Sequence, residues 1–410
     1  MTVLPLRVGV NLCWLVPGVV GGSEYLLVDW LRAVAEHQAD RRQPRRALPV
    51  AITVFGSGDL RDAHPFLAEA FRFVVAPVGG RAKPLRVGVE ASWLPLQQRR
   101  LGLSVLHHAG GVVPPVHTGR IVLTVHDIQP LDLPEHFSAV KRRYLAALLP
   151  PSVRSAELIV TTSAFVVDRL VERLGAERDR CRVVAPVLHR RSAPDAARVA
   201  EVRSRLGLPE HYVLYPAIAY PHKNHRVLLD ALALLHRRGG PAGALHLVLT
   251  GAPGPLDAEL DAAARAAGIA AAVHRLGRLA RTEFEAVVAG ADALAFPSTY
   301  EGFGLGAFDA LAAGAPTVAA DIPPLREVLG PDARLLDPHD PPAWADALER
   351  VATSDAHRRE LASASVARAG CFDAARSAQA LLDAYRDAHL GRPQPSRRSP
   401  RPLGDRSQRP

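Results

Sequence analysis

The fold of the second half of this chain is decided by one stretch, Phe296-Pro-Ser-Thr-Tyr-Glu-Gly-Phe-Gly-Leu-Gly-Ala-Phe-Asp309. An apolar strand is predicted to end at its first residue, and a polar loop with three glycines follows. A helix is predicted to open near Gly306 or Ala307. Glycines let a backbone approach a ligand closely, and a helix start offers N–H donors and partial positive charge. The stretch therefore predicts a phosphate site, with Glu301 in the loop and Asp309 in the first turns of the helix.

Two carboxylates beside amide donors suit a ligand that has sugar hydroxyls at both ends and phosphates between them, since a carboxylate can accept from two hydroxyls. A dinucleotide-binding site is the alternative. Gly302, Gly304 and Ala307 fit its glycine pattern, and Asp321 follows as an acidic residue. However, Pro297 to Glu301 separate the first glycine from its strand, and the segment is late in its domain. Both features weaken the dinucleotide interpretation.

Apolar strand patterns alternate with helical patterns on both sides of this stretch. Most strands are continuous apolar runs, which is typical of parallel sheets covered on both faces. We expect an α/β protein with two doubly wound, Rossmann-like domains that face each other across a cleft. The predicted divisions are an N-terminal domain over 1–190, a C-terminal domain over 191–373, a helix returning to the first domain over 374–390, and a disordered basic tail over 391–410. The stretch from Pro186 to about Arg205 is interpreted as the connection between the domains.

Composition excludes several other classes. Of 410 residues, 48% are hydrophobic and 22% are charged, an ordinary globular balance. The three cysteines lie far apart, which fits neither a disulfide framework nor a zinc cluster. No Asp-x-Asp and no His-Glu-x-x-His occurs, so we expect no metal ion and no cofactor. No apolar run is long enough for a transmembrane helix. The net charge of +9 arises largely in the arginine-rich tail, and a nucleic-acid partner is not expected.

Two glycine- or lysine-containing turns are further candidates. Lys223 lies in Ala217-Ile-Ala-Tyr-Pro-His-Lys223, between a strand and a helix, where its ammonium can reach a diphosphate and stabilise the leaving phosphate. Gly21 and Gly22 lie between the first strand and the first long helix. They form either a structural turn or a loop that wraps phosphates. Ser23 suits the N-cap of that helix.

His126 follows a buried strand whose last residues are Leu123-Thr-Val125. An imidazole at a strand end can bind a sugar hydroxyl or relay a proton, although a lone histidine is usually structural. Asp127 beside it either caps the next turn or approaches an acceptor.

These segments together resemble the retaining glycosyltransferases of the GT-B fold known as family 4, the glycogen-synthase-like group. The resemblance covers nearly all of residues 7–390. Its most specific element is Pro297-Ser-x-Tyr-Glu-Gly-Phe-Gly-Leu305, supported by Pro221-His-Lys-Asn-His225 and Val125-His-Asp127. Pro134-Glu-x-Phe137 resembles the mannosyltransferase-like branch. The resemblance implies transfer of a hexosyl group, mannosyl-like, from a nucleotide-diphosphate sugar with retention of configuration and without a metal.

The resemblance also implies roles for single residues. Glu301 would contact the donor sugar, Lys223 the diphosphate, and His126 the sugar near the reacting carbon. Asp309 would hold the ribose in place of the family's second glutamate. Gly302 and the amides of Phe303, Gly304 and Leu305 would approach sugar and phosphate, and Gly21 with Gly22 would form the N-terminal phosphate loop. Asp309 is one methylene shorter than the family's glutamate, the usual arginine near Lys223 is absent, and Gly306 replaces a common proline.

The sequence thus predicts a cytoplasmic glycosyltransferase acting on a saccharide, lipid-linked or small-molecule acceptor. Peripheral membrane contact is a further expectation, because Lys141, Arg142 and Arg143 cluster after Phe137. The alternatives are a non-catalytic nucleotide-sugar or polyanion binding protein, supported by the basic tail, and a nicotinamide-dependent oxidoreductase that uses Gly302, Gly304 and Asp321.

Overall fold

The computed structural model describes residues 4–40, 48–189 and 193–391. The chain divides into two compact units. The first runs up to Val187 and is completed by the segment that begins at Phe372, and the second comprises Leu188–Cys371. Apart from Gly391, the predicted basic tail lies outside the described residues. No helix in the described ranges is long and apolar enough to cross a bilayer.

The first unit contains a parallel sheet of seven strands in the spatial order β3-β2-β1-β4-β5-β6-β7. Because all strands run in one direction, their carboxyl ends meet at one edge of the sheet. The chain reverses its direction of winding between β1 and β4, the position at which doubly wound sheets bind ligands. In chain order the strands are β1 (Leu6–Asn11), β2 (Val50–Gly56), β3 (Arg72–Val75), β4 (Val105–His108), β5 (Arg120–Thr124), β6 (Leu158–Thr161) and β7 (Cys181–Val183).

Helices connect these strands, as parallel neighbours require. They are α1 (Gly22–Ala39), α2 (Gly58–Ala63), α3 (Phe66–Ala70), α4 (Lys83–Arg100), α5 (Gln129–Asp132), α6 (Ala139–Ser155) and α7 (Ala164–Leu174). The prediction that Ser23 caps α1 is wrong. Gly21 is the N-cap, in a conformation with φ 75° that excludes most other residues, and Ser23 lies inside the helix.

The second unit contains a parallel sheet of six strands in the order β10-β9-β8-β11-β12-β13. The strands are β8 (Tyr212–Pro216), β9 (His246–Thr250), β10 (Val273–Gly277), β11 (Ala293–Phe296), β12 (Thr317–Ala320) and β13 (Arg334–Leu336). The helices are α8 (Ala196–Leu206), α9 (His225–Arg238), α10 (Asp257–Ala266), α11 (Arg281–Ala289), α12 (Leu305–Ala312), α13 (Pro323–Leu329), α14 (Pro341–Thr353) and α15 (Asp355–Ala369). The strands β8 and β11 are neighbours, so the loops that follow them lie side by side at the carboxyl edge. The prediction of an α/β protein with two doubly wound domains is confirmed.

Helix α8 occupies part of the stretch that was predicted to be only a connection. Its N-cap, Asp195, accepts a hydrogen bond from the Arg198 amide at 2.7 Å. Gly207 ends it in the left-handed conformation. An aspartate and a glycine at these two positions are helix boundary signals that the arginine- and alanine-rich composition obscured.

The last helix, α16 (Ala374–Leu390), packs in the first unit. Leu381, Leu382 and Tyr385 are buried in the same apolar cluster as Val8 of β1 and Trp30 of α1. Polar contacts fix the C-terminal end of the helix, since Arg386 donates to the Leu48 carbonyl and Arg120 donates to the Ala388 carbonyl. The core of the first unit is therefore completed by residues from the far end of the chain.

Candidate active site

The loops after β8 and β11 meet through an ion pair. Lys223 Nζ lies 2.6 Å from Glu301 Oε1, and the two side chains are only 23% and 16% exposed. The Thr299 amide also donates to the His222 carbonyl at 2.8 Å, which joins the two loops through their backbones. Two charged residues predicted from separate motifs are thus brought together.

Asn224 holds the lysine loop in place. Its backbone is left-handed, with φ 52°, a conformation that asparagine tolerates better than most residues. Its Nδ2 donates to the Pro297 carbonyl at 3.1 Å and to the Pro338 carbonyl at 2.8 Å. One amide group therefore ties the loop after β8 to the loops after β11 and β13. The sequence motif included this asparagine, but its partners are distant along the chain.

The glycine loop leads directly into α12. Gly304 is the N-cap at φ 96°, and a Cβ on it would come within 2.7 Å of Leu325 Cδ2. Only glycine fits this position. The helix starts at Leu305, slightly earlier than predicted, and Phe303 packs edge-on against Phe308 at 5.4 Å between ring centroids. The first-turn amides of a helix have no intrahelical acceptor, so this start can bind an anion beside the Lys223–Glu301 pair.

Asp309 lies one turn into α12 and faces α11. It lines a cavity of about 220 Å³ together with Pro194, Phe284 and Pro316. It also lines a second cavity of about 130 Å³ with Pro216 and Gly306. Burial raises the pKa of Asp309, and Arg281 opposes this rise. The carboxylate is thus placed where an additional hydrogen-bond donor from a ligand would favour its charged form.

The predicted N-terminal glycine loop is held by a buried glutamate. Glu24 Oε2 accepts from the Gly18 amide at 2.7 Å, and its Oε1 lies 2.8 Å from His64 Nε2. Gly21 and Gly22 follow at the start of α1. Sequence reasoning did not identify Glu24, because its partner His64 belongs to a different loop.

His126 lies two residues beyond β5, at the same carboxyl edge of the first sheet as Gly21 and Gly22. Its Nε2 lies 3.0 Å from the Ala109 carbonyl, and its ring is tilted against the indole of Trp14 at 6.2 Å between centroids. Burial lowers the pKa of His126, so the neutral imidazole is favoured. Asp127 Oδ1 accepts from the Gln129 amide at 3.0 Å, so Asp127 caps the next turn.

Two more histidines, at the end of β4, were not predicted. His107 Nδ1 lies 2.9 Å from the Tyr385 hydroxyl and its Nε2 lies 2.6 Å from Thr124 Oγ1. Burial lowers the pKa of His107 to about 3. His108 contacts the side chain of Asn11, whose Nδ2 donates to Glu90. A buried polar network thus underlies this edge of the first sheet.

Basic side chains of α4 and α6 approach the same edge. Lys83 is near enough to Lys141 to lower its pKa, although burial is the larger cause and Asp127 has the opposite effect. The Lys141 ammonium lies 4.4 Å from the centre of the Phe137 ring. Arg86 lies 3.7 Å from Glu90 and interacts with the Tyr144 hydroxyl. These cations outnumber the carboxylates around them and favour an anionic ligand.

The acidic residue of the dinucleotide-binding alternative is already bound by an arginine. That residue, Asp321, is 38% exposed and is bound by both Nε and Nη2 of Arg326, the second contact at 2.8 Å. This arrangement leaves the carboxylate engaged with a neighbouring helix. Among the described residues no group of three His, Cys, Asp or Glu side chains is placed to hold a metal ion.

Comparison with known families identifies both halves of the chain. Residues 200–367 match the family described as Glycosyl transferases group 1, and residues 32–189 match Glycosyltransferase Family 4. The D-inositol 3-phosphate glycosyltransferase of Xylanimonas cellulosilytica is 33% identical over 296 residues, which cover 68% of this chain and 68% of that protein. The protein with the same name in Stackebrandtia nassauensis is 31% identical, over 76% of this chain and 68% of its own.

Solved structures share the architecture. HepE of Anabaena, solved with UDP and glucose, superposes with a TM-score of 0.68 at 20% identity, over 92% of this chain and 98% of that one. Sucrose-phosphate synthase of Thermosynechococcus elongatus superposes with a TM-score of 0.70 at 17% identity, over 94% of this chain and 100% of that one. These likenesses show the GT-B fold. Taken with the family matches in both units, they establish that the chain belongs to glycosyltransferase family 4 and is a glycosyltransferase.

Proposed function

We propose that this glycosyltransferase moves a hexosyl group from a nucleotide-diphosphate sugar to a phosphate-bearing polyol, with retention of anomeric configuration. The observation that carries the donor part is the Lys223–Glu301 ion pair at the start of α12. The pair places a cation for the diphosphate beside a carboxylate for sugar hydroxyls, and α12 begins after Gly304 with first-turn amides that can donate to phosphate oxygens. Asp309, on the same helix, is assigned to accept from the ribose.

Retention follows from a front-side reaction in this proposal. The bond between the anomeric carbon and the phosphate oxygen breaks as the bond to the acceptor oxygen forms on the same face. The acceptor hydroxyl gives its proton to the departing phosphate. Lys223 and the amides of α12 stabilise the charge that develops on that phosphate. No side chain of the chain is assigned as a nucleophile.

The acceptor is inferred from the charges on the first unit. Lys83, Arg86 and Lys141 come from two helices at the carboxyl edge that also carries His126. Their excess over carboxylates favours a ligand with a phosphate group. The matched relatives are named for D-inositol 3-phosphate, so inositol 3-phosphate is the first acceptor to test.

The test measures product formation from UDP-glucose, ADP-glucose, dTDP-glucose and GDP-mannose, each offered with inositol 3-phosphate or with unphosphorylated inositol. UDP is the first nucleotide expected, since HepE was solved with it. GDP-mannose tests the mannosyl prediction. Anomeric proton couplings in the product report retention, and parallel reactions with EDTA test the prediction that no metal is needed.

Matched variants separate the acceptor phosphate from general charge. We expect Lys141→Ala to raise the KM for inositol 3-phosphate about 10- to 100-fold, the effect of losing one charged hydrogen bond. Arg143→Ala, on the same helix and exposed, is the control and should change little. Equal rates with and without the phosphate on inositol would reject the proposed acceptor class but not the donor site.

The non-catalytic binding alternative predicts nucleotide-sugar binding without product under all these conditions. The oxidoreductase alternative is not retained, because the family is established. The cytoplasmic location and peripheral membrane contact stay predictions.

A further inference from the structure

Trp14 and His126 are neighbours at the carboxyl edge of the first sheet, and each has a polar atom that lacks a hydrogen-bond partner. Trp14 Nε1 and His126 Nδ1 are both closed to solvent, and within the described part of the chain neither has an acceptor or donor in reach. Their rings are neighbours, 6.2 Å apart between centroids and inclined by 53°. Buried groups of this kind are normally paired, so two adjacent exceptions call for a physical explanation.

The two atoms have opposite hydrogen-bonding character. An indole nitrogen only donates. The Nε2 of His126 faces the Ala109 carbonyl at 3.0 Å, and a carbonyl only accepts, so Nε2 carries the proton. In the neutral imidazole Nδ1 is then an acceptor. A hydroxyl group, which both donates and accepts, would satisfy the pair, because it can donate to Nδ1 and accept from Nε1.

Two glycines leave space for Trp14. A Cβ on Gly110 would come within 2.7 Å of Trp14 Cδ1 and 2.8 Å of Nε1, so the indole lies directly on that backbone. A Cβ on Gly80 would come within 3.0 Å of the Trp14 carbonyl. The absence of both side chains lets the loops after β3 and β4 close around Trp14. These two glycines therefore make room for the indole to lie beside His126.

We infer that Trp14 is a further substrate-binding residue, whose indole N–H acts with His126 Nδ1 to hold one hydroxyl group of a sugar or polyol. This inference rests on the proposed function, which supplies hydroxyl-rich substrates. The hydroxyl enters when the half-buried indole turns away from His126. The hydroxyl belongs either to the transferred hexose or to the acceptor polyol, and both have the required chemistry.

Trp14→Phe tests the inference, because phenylalanine keeps an aromatic ring and removes the N–H donor. Binding is measured by isothermal titration with UDP-glucose and with inositol 3-phosphate, so no turnover is required. We expect one of the two ligands to bind about 2- to 10-fold more weakly, as for one neutral hydrogen bond. Trp93→Phe, a half-buried tryptophan of the same unit that packs on Phe55, is the control and should leave both affinities unchanged.

Deoxygenated ligands identify the hydroxyl. Analogues of the weakened ligand that lack one hydroxyl each are titrated against wild-type protein and Trp14→Phe. For one analogue the variant should cause no additional loss, since the partner of the indole is already missing. An equal loss with every analogue, or no loss with either ligand, would overturn the inference and assign Trp14 to packing alone.

Gly110→Ala provides a second variant if Trp14→Phe does not fold. The added methyl group would displace the indole without removing its N–H, and the same analogue pattern is expected. Failure of the proposed function would be recognised separately, as absence of product from wild-type protein with every donor and acceptor. The titrations would still decide whether Trp14 contacts a hydroxyl of either ligand.

Discussion

Breaking the Lys223–Glu301 pair tests the donor site most directly. The two charged atoms lie 2.6 Å apart, and both side chains are less than one-quarter exposed. Exposed pairs contribute about 0.2–1 kcal/mol, whereas removing one member of a fully buried pair costs about 3–5 kcal/mol. For this intermediate case we expect Lys223→Ala to cost about 2 kcal/mol. In a unit of this size that lowers the melting midpoint by about 4–8 °C.

A double-mutant cycle isolates the interaction. Lys223→Ala leaves the Glu301 carboxylate without its partner, so adding Glu301→Ala should restore part of the lost stability. We expect a coupling energy of about 1–3 kcal/mol from thermal unfolding of the two single variants and the double variant. Arg226 and Asp230, an exposed pair 2.9 Å apart on α9, form the control cycle. Their coupling should be about 0.3–0.5 kcal/mol.

The same cycle with saturating UDP tests function. A bound diphosphate gives Lys223 a second anionic partner, so the coupling between Lys223 and Glu301 should fall. With UDP at about 100 times its dissociation constant, the free energy of unfolding of the wild-type protein should rise by about 2.7 kcal/mol. Lys223→Ala should lose most of this stabilisation. Additive single effects without ligand, or a coupling that UDP leaves unchanged, would refute the assignment of Lys223 to the diphosphate.

Three further results are expected. Gly304→Ala should lower the melting midpoint and weaken UDP binding. An alanine in the left-handed conformation costs about 1–2 kcal/mol, and its methyl group would clash with Leu325. Gly243→Ala is the control, because a methyl group there makes only an ordinary contact. Asp309→Asn should stabilise the ligand-free protein at pH 7 but weaken UDP binding. Burial raises the pKa of Asp309 above its ordinary 3.8, so ionisation of this carboxyl opposes folding at higher pH. A difference in melting midpoint between wild type and variant that stays the same from pH 4 to pH 7 would contradict this. Burial lowers the pKa of His107 from 6.5 to about 3, so between these values the unfolded chain binds a proton that the folded protein does not. Stability should therefore fall as the pH drops below 6.5. His107→Gln should make that fall shallower in unfolding curves measured between pH 7 and 4.

The strand and helix pattern could be predicted because parallel strands buried on both faces are continuous apolar runs. Lys223 and Glu301 could be placed at strand ends for the same reason, and β8 and β11 are neighbours in the sheet. Their direct ion pair could not be predicted, because loop conformations such as the left-handed Asn224 position the side chains.

Trp14, Glu24 and His107 illustrate what the sequence conceals. Glu24 binds His64, and His107 binds Tyr385 at a separation of 278 residues. Such pairs have no local spacing that a motif can record. Ser23 was predicted as the N-cap of α1 because serine is a favourable cap residue. The N-cap is instead Gly21, whose backbone conformation determines where α1 begins.

The return of α16 to the first unit has a consequence for how the chain is made. The second unit, Leu188–Cys371, is continuous in sequence and can complete its sheet once those residues have left the ribosome. The first unit is synthesised earlier, but its core waits for Leu381, Leu382 and Tyr385. Until α16 is synthesised, the apolar surface around Val8 and Trp30 lacks part of its cover and presents a site for chaperones. The half of the protein that is translated first is therefore the half that finishes folding last.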